Sequence, residues 1–386
     1  MVPPPKLRDM IARLIEIPSI SSVNPSEDQS NRAVVETLAE WLAGLGFRTE
    51  IQDIPGAPGK ANLIATLGRG ENGLVLAGHT DTVPYDEGRW QSDPFRLSER
   101  DGRLYGLGTS DMKAFLALAV EAARGLREQD LAQPLVILAT ADEESSMSGA
   151  RALLEARRPL GRHAVIGEPT GLKPKRMHKG VMMEAVRVIG RSGHSSDPSL
   201  GLNALEGMTR VLNALLAWRE ELQLRYRNDA FAVPVPTLNL GRIHGGDNPN
   251  RICPAVELQI DIRPLPGMSL EELRQELAGR VRQALQGQPW EIELRSLFPG
   301  LPPLETDADA AVVRAAERLT GAAAEAVAFG TEGPFLRRLG ADVVVLGPGD
   351  IDQAHQPDEY VRLDRLSPTV DLLRGLIDAF CVRPAA

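Results

Sequence analysis

The sequence predicts an α/β fold in which a mainly parallel β-sheet is flanked by helices and interrupted by an inserted second domain. Three observations support this prediction. Short β-branched runs bounded by Gly and Pro, such as Leu74–Ala77, indicate strands buried on both faces. Helical patterns alternate with these runs up to about Pro174, as a parallel sheet requires. Between Val181 and Leu294 the order changes to βαββαβ, which is typical of a ferredoxin-like unit.

The predicted elements follow in order along the chain. The first domain has helices at 6–14, 30–45 and 112–126 and strands at 47–54, 61–67, 74–77, 135–139 and 164–166, and resumes with a helix at 307–319, a strand at 343–346 and a helix at 367–379. The insert has strands at 181–189, 237–243, 256–262 and 290–294 and helices at 203–222 and 269–285. We therefore expect a catalytic domain at 1–177 and 295–386 around a lid and dimerisation domain at 178–294.

Composition excludes several classes of protein. With 386 residues, of which 43% are hydrophobic and 25% charged, the chain has the composition of a typical globular protein. A net charge of −9 argues against nucleic acid as a partner. Cys253 and Cys381 have no short spacing, which argues against a disulfide scaffold and fits a reducing compartment. No apolar stretch approaches the length of a membrane span, and no secretory signal is apparent, so we expect a cytoplasmic protein.

Polar side chains follow four of the predicted strands at the points where those strands end. These side chains are His79, Glu143, Glu144, Glu168 and His355, which follow the runs at 74–77, 135–139, 164–166 and 343–346. In α/β sheets, ligands bind at the carboxyl ends of the strands. Carboxylates and imidazoles gathered at one sheet edge suggest a metal site. With Asp111, they would suit two divalent ions that share one carboxylate.

Each of these residues also has an ordinary structural interpretation. Asp111 precedes an apolar helix and could be its N-cap, or could both cap the helix and bind metal. Glu143 and Glu144 could form an exposed acidic loop, although two adjacent buried carboxylates would require a compensating cation. His79 could be a buried histidine whose ring nitrogens form ordinary hydrogen bonds within the core. As a metal ligand, it could donate its second ring N–H to Asp81, two residues along an extended segment.

A glycine-rich segment at 68–73 matches the pattern G-x-G-x-x-G. It precedes a strand and opens no helix, so we interpret it as a hairpin turn rather than a dinucleotide-binding loop.

Four longer stretches carry a family resemblance. The segments 78–84, 106–113, 142–144 and 167–170 resemble the co-catalytic zinc amidohydrolases of the M20 peptidase family, and the resemblance extends over nearly the whole chain. It implies His79, Asp111 and Glu168 on one metal ion and Asp111, Glu144 and His355 on the other. Zn²⁺ is the ion that we expect most, with Co²⁺ as an alternative. The peptide bond after Asp111 is expected to be cis.

The resemblance also implies an activity, which is hydrolysis of the amide bond of a small N-acyl amino acid. Asp81 would orient His79, Glu143 would be the general base, and His194 would reach the partner's active site in a homodimer formed through the lid. The substrate would contact Asn250, Arg263, Thr331 and Glu332. From spacing alone, His194 could equally be a polar loop residue. A metal-dependent binding protein without catalytic activity is the alternative from a different class.

Overall fold

The computed structural model describes residues 3–382. Its strands are β1 (Arg48–Asp53), β2 (Ala61–Leu67), β3 (Leu74–His79), β4 (Ser98–Arg100), β5 (Arg103–Tyr105), β6 (Leu135–Thr140), β7 (His163–Pro169), β8 (Lys175–His178), β9 (Met182–Ile189), β10 (Thr237–Gly245), β11 (Ala255–Arg263), β12 (Glu291–Ser296), β13 (Leu304–Glu305), β14 (Glu325–Val327), β15 (Asp342–Gly347) and β16 (Tyr360–Arg362). Its α-helices are α1 (Leu7–Glu16), α2 (Arg32–Gly44), α3 (Lys113–Ala122), α4 (Ser148–Glu155), α5 (Ala204–Arg225), α6 (Leu270–Ala284), α7 (Ala311–Thr320), α8 (Gly333–Arg338) and α9 (Leu366–Phe380). Among these helices, none is long and apolar enough to cross a membrane.

The chain forms two compact units. The first consists of Met1–Arg176, Thr306–Glu325 and Thr331–Ala386, and the second of Met177–Glu305 and Ala326–Gly330. The second unit thus ends later than the predicted boundary at residue 294. After β12 the chain keeps pairing with the start of this unit, through Leu301 with Val181 and Leu304 with His178. The predicted outer limits, residues 1 and 386, lie outside the described part of the chain.

The first unit contains a mixed, mainly parallel sheet, which confirms the predicted fold class. Its strands lie in the order β1-β2-β6-β3-β7-β15. The four strands β6, β3, β7 and β15 run parallel, and β2 is antiparallel to both of its neighbours, β1 and β6. All six residues of β3, β6 and β15 are buried, as expected for strands covered on both faces. Parallel pairing therefore gathers the carboxyl ends of four strands at one edge of the sheet.

The hairpin interpretation of the segment at 68–73 is wrong. This segment joins β2 to β3, but these two strands are not neighbours, because β6 lies between them. Leu63 of β2 faces Ala139, and Leu74 of β3 faces Leu135. The glycine-rich loop therefore lets the chain pass across β6, which places β3 in the middle of the parallel strands.

Helix α3 packs in the interior of this unit and begins two residues after Asp111. It contacts α1, α9 and the strand β3. Nine of its ten residues are buried, as expected for a helix that is apolar on all sides. The helix is shorter than the predicted range of 112–126. It ends at Ala122, and the chain then turns, with Gly125 in the left-handed region at a φ of 88°.

The second unit has the predicted βαββαβ order. Its sheet runs β10-β11-β9-β12 with every neighbouring pair antiparallel, and it is separate from the sheet of the first unit. Strand β11 alternates strictly between buried and half-buried residues, so one face of the sheet is covered. Helices α5 and α6 pack against each other, and α5 contacts β9, β10 and β11. Trp218 of α5 is fully buried in this core.

Candidate metal centre

His79 and Glu168 are positioned by the parallel strands. Strand β3 ends at His79, and the neighbouring β7 carries Glu168 near its own end. Both side chains are buried, at 1% and 5% exposure. The Nε2 atom of His79 lies 3.8 Å from Oε1 of Glu168 and 3.0 Å from Oδ1 of Asp111. The pairing of two parallel strands thus brings His79 and Glu168 together, and the Asp111 carboxylate reaches the same point from the loop before α3.

The second nitrogen of His79 does not make its closest contact with the Asp81 side chain. Its Nδ1 atom lies 3.0 Å from the backbone oxygen of Asp81 and 3.8 Å from the carboxylate. The predicted hydrogen bond to the side chain is therefore wrong, although Asp81 still supplies the partner. The Asp81 carboxylate instead accepts a hydrogen bond from the backbone N–H of Glu144 at 3.0 Å. The Asp81 side chain therefore contacts the loop that carries Glu144.

Asp111 does not act as a helix cap. The N-cap position of α3 is Met112, and that cap makes no side-chain hydrogen bond. The peptide bond between Asp111 and Met112 is cis, as the family resemblance implied. The Asp111 carboxylate lies between two histidines, since its Oδ1 is 3.0 Å from His79 and its Oδ2 is 3.6 Å from Nε2 of His355.

His355 reaches the centre from a loop rather than from a strand end. Its Nε2 atom lies 3.0 Å from Oε1 of Glu144, and its side chain is 52% exposed. Its backbone has a positive φ of 60°. The hydrogen bond with Glu144 raises the pKa of His355 to about 9, because this bond and the negative charges of Glu144 and Asp111 outweigh the lowering by partial burial.

The five predicted metal-binding residues and the predicted base converge at this sheet edge. Two groups have potential ligand atoms that all lie within 4.8 Å of one another, namely His79, Glu143 and Glu168, and His79, Asp111 and Glu144. His355 joins them through its contacts with Glu144 and Asp111. Imidazole and carboxylate donors of this kind suit Zn²⁺ and other first-row divalent ions.

The charges of the site also fit a bound cation. Burial, together with neighbouring carboxylates, raises the pKa of Glu168 and of Glu143 well above the usual range. Burial would also raise the pKa of Asp111, but the hydrogen bond with His79 lowers it overall. Carboxylates this close repel each other when ionised. A divalent cation would offset that repulsion, so the residues present fit a metal site.

A buried ion pair holds the loop that carries Glu143 and Glu144. Asp142 has a positive φ of 53°, and its Oδ1 atom accepts hydrogen bonds from Lys60 at 2.6 Å and Ser21 at 3.0 Å. The side chains of Lys60 and Asp142 are only 4% and 9% exposed. Lys60 could not be identified from the sequence, because a single lysine before a strand forms no motif.

Two of the predicted substrate contacts, Thr331 and Glu332, are buried. Thr331 and Glu332, at 0% and 1% exposure, offer a substrate no accessible surface in this conformation. Burial raises the pKa of Glu332 to about 7. A contact between these side chains and a substrate stays a prediction, and it would require this segment to open.

The second unit contains the other three predicted residues. His194 and Asn250 are exposed and lie on neighbouring segments, since the Ser195 N–H donates to the Asn250 carbonyl at 3.1 Å. The Arg263 guanidinium donates through Nε to Asp261 at 2.8 Å. The structure thus brings His194 and Asn250 together, and it occupies one donor of Arg263 within the same strand.

Comparison with known proteins identifies close relatives. The Peptidase family M20/M25/M40 matches residues 75–379. The chain is 49% identical over 377 residues to an acetylornithine deacetylase of Pasteurella multocida (strain Pm70), with 98% of each chain covered. It is 51% identical over 372 residues to an acetylornithine deacetylase of Edwardsiella ictaluri (strain 93-146), with 96% of each chain covered.

Solved structures show the same fold at low sequence identity. An M20 family metallo-carboxypeptidase from Sulfolobus solfataricus has a TM-score of 0.75 at 17% identity, covering 97% of this chain and 99% of its own. A tripeptidase from Staphylococcus aureus has a TM-score of 0.72 at 20% identity, covering 96% and 97%. The family match and the two full-length relatives show that this chain belongs to the Peptidase family M20/M25/M40.

Proposed function

We propose that this protein hydrolyses the amide bond of N2-acetyl-L-ornithine to give L-ornithine and acetate. The convergence of Glu143 with the ligand-type side chains at one sheet edge carries the proposal of hydrolysis. The substrate is suggested by the two relatives, which are about half identical over almost the whole chain.

The proposed centre holds two divalent ions. His79, Asp111 and Glu168 would bind one ion, and Asp111, Glu144 and His355 the other, so that Asp111 is shared. The donor set favours Zn²⁺, with Co²⁺ as a second choice, because nitrogen and oxygen ligands accept both. When bound, such a pair supplies Lewis acidity that lowers the pKa of a water molecule and polarises the amide carbonyl.

The residues of the chain have separate roles in this mechanism. The backbone oxygen of Asp81 fixes the ring of His79, which leaves Nε2 of His79 as the ligand atom. Glu143 is not required as a ligand in the proposed pair, so its carboxylate is available as the general base. It would take a proton from the attacking water and return it to the leaving amine nitrogen.

Substitution of Glu143 by Gln tests the base. We expect metal content to stay at the wild-type level and turnover to fall about 100–10,000-fold, because the amide cannot accept the proton. Metal analysis by mass spectrometry and steady-state kinetics measure the two quantities. Near-normal turnover in this variant would remove Glu143 from the mechanism.

The substrate is tested by turnover on a matched panel. Acetylornithine, succinyl-diaminopimelate and dipeptides share the scissile amide and differ in the groups around it. We expect acetylornithine to give the highest kcat/KM. A preference for succinyl-diaminopimelate or a dipeptide would assign another activity of the same family, and no turnover with metal bound would favour a binding protein without catalytic activity.

We also propose that the second unit acts as a lid through which the protein forms a homodimer. His194, Asn250 and Arg263 would then contact the substrate, with His194 reaching the partner's site. Mixing His194→Ala protein with Glu143→Gln protein would restore activity through hybrid dimers. Absence of recovery, once subunit exchange is demonstrated, would contradict shared sites.

A cytoplasmic location is part of the proposal. Cys253 and Cys381 are both free and buried, as suits a reducing compartment. Cell fractionation with an antibody to the protein would test it, and recovery outside the cytoplasmic fraction would contradict it.

A further inference from the structure

We infer that Glu359 is a positioning residue that fixes the loop carrying Asp111 against the segment carrying His355. The inference rests on the proposed metal centre, in which Asp111 and His355 serve the same ion. Glu359 lies four residues after His355 and is 1% exposed.

The Glu359 carboxylate accepts three backbone hydrogen bonds from the Asp111 loop. Its Oε1 atom accepts from the N–H groups of Ser110 at 2.6 Å and Asp111 at 2.9 Å. Its Oε2 atom accepts from the N–H of Gly108 at 2.9 Å. Successive N–H groups directed at one anion form a concave binding site for it. The carboxylate therefore fixes the backbone of the residue that would be shared by both ions.

The backbone brings the same two segments together. Strand β16, which begins one residue after Glu359, pairs with β5, with Tyr360 opposite Tyr105. The Glu359 carbonyl accepts from the N–H of Gly106 at 3.0 Å. The three-stranded sheet of β16, β5 and β4 therefore aligns the segments, and the Glu359 side chain extends their contact to Asp111.

A second connection lies on the other side of His355. The Ser110 hydroxyl accepts from the backbone N–H of Asp350 at 3.1 Å. The His355 segment is therefore tied to the Asp111 loop both before and after the histidine. The His355 side chain is half exposed, so packing alone does not fix its position. The two connections of its backbone segment therefore help to set its distance from Asp111.

The glutamine variant removes one acceptor while keeping the shape of the side chain. In Glu359→Gln, an NH₂ group replaces one oxygen and faces a backbone N–H. We expect binding of the ion held by Asp111, Glu144 and His355 to weaken about 10–100-fold, as for residues that orient ligands, and binding of the ion at His79 and Glu168 to weaken less, because paired strands position those two residues. Titration calorimetry of metal-free protein with Zn²⁺ measures both steps, and the visible spectrum of the Co²⁺ form reports the ligand geometry.

The neighbouring residue provides a matched control. The Asp358 carboxylate lies on the same segment but accepts from the backbone N–H of Gln91 at 2.9 Å. In Asp358→Asn, we expect both binding steps and the Co²⁺ spectrum to match the wild type. Thermal unfolding of the metal-free variants shows whether the fold is intact.

Two results would overturn the inference. The first is wild-type metal affinity and an unchanged Co²⁺ spectrum in Glu359→Gln. The second is an equal loss of affinity at both metal-binding steps together with a lower unfolding temperature of the metal-free variant. If Glu359→Gln does not fold, the Ser110→Ala variant takes its place. It removes only the connection between Ser110 and Asp350, and it should weaken the binding of the ion at His355 by a smaller factor. Wild-type protein that binds no metal would refute the proposed centre instead.

Discussion

The two halves of the proposed metal centre are held in different ways. His79 and Glu168 lie at the ends of paired parallel strands and are almost fully buried. Glu144 and His355 lie on loops, and His355 is half exposed. In the first half, the sheet itself sets the distance between the ligands. In the second half, the distance depends on side chains that are remote in sequence.

This difference shows where the site is sensitive to change. The ion pair of Lys60 with Asp142 joins positions 82 residues apart, and Glu359 bonds to a loop about 250 residues before it. None of Lys60, Asp142 and Glu359 is a ligand in the proposed centre. Substitutions at such supports should disturb the loop half while leaving the strand half in place.

The largest expected effect on stability is at Lys60. Substitution by Met leaves the Asp142 carboxylate buried without its cation, which should cost about 3–5 kcal/mol in the free energy of unfolding. Urea unfolding of the metal-free protein measures this loss. The Arg187–Glu293 pair in the second unit, whose side chains are 48% and 58% exposed, serves as the control. Arg187→Met should cost less than about 1 kcal/mol, and equal effects of the two substitutions would contradict the account.

Glu332 gives a pH-dependent effect of intermediate size. Its side chain is 1% exposed, and burial raises its pKa to about 7. A carboxyl group with a raised pKa favours folding while it is protonated, so this contribution is lost as the pH rises from about 4.5 to 7. Glu332→Gln should therefore match the wild type near pH 4.5 and be more stable at pH 8, by up to about 3 kcal/mol.

Urea unfolding of the metal-free proteins at several pH values tests this sign. If the gain in the free energy of unfolding of Glu332→Gln over the wild type shrinks as the pH rises, Glu332 is not protonated in the folded protein. That result would instead indicate that the ionised carboxylate has a partner when the protein is folded.

The smallest expected effect concerns the strand half. A Cβ added at Gly167, next to Glu168, would lie 2.0 Å from the ring of Phe115, whereas one at Gly78, next to His79, would lie 2.6 Å from the end of the Met112 side chain. The ring cannot move as freely as the methionine. Gly167→Ala should thus cost about 1–3 kcal/mol, and Gly78→Ala less. Thermal unfolding compares them, and the reverse order would contradict rigid packing behind Glu168.

The strand half of the site was predictable because local patterns encode it. Apolar runs that end in His79 or Glu168 identify both the strand and the residue at its end. Parallel pairing then gathers those ends without any further information. The insert was also visible, because the order of its strands and helices differs from that of the surrounding chain.

The supports of the loop half could not be predicted from local patterns. Lys60 and Glu359 act through contacts with residues far along the chain, and neither lies in a motif of its own. The Asp81 side chain bonds to the Glu144 backbone rather than to His79, a choice that depends on how two loops meet. The path of the segment at 68–73 likewise depends on β6, which comes later in the sequence.

A crystal structure of the metal-loaded protein, phased at the zinc absorption edge, tests the central claim most directly. The account predicts two anomalous peaks about 3.5–4 Å apart, one beside His79 and Glu168 and the other beside Glu144 and His355, with Asp111 between them. A single peak, or a second peak that does not contact Asp111, would contradict it.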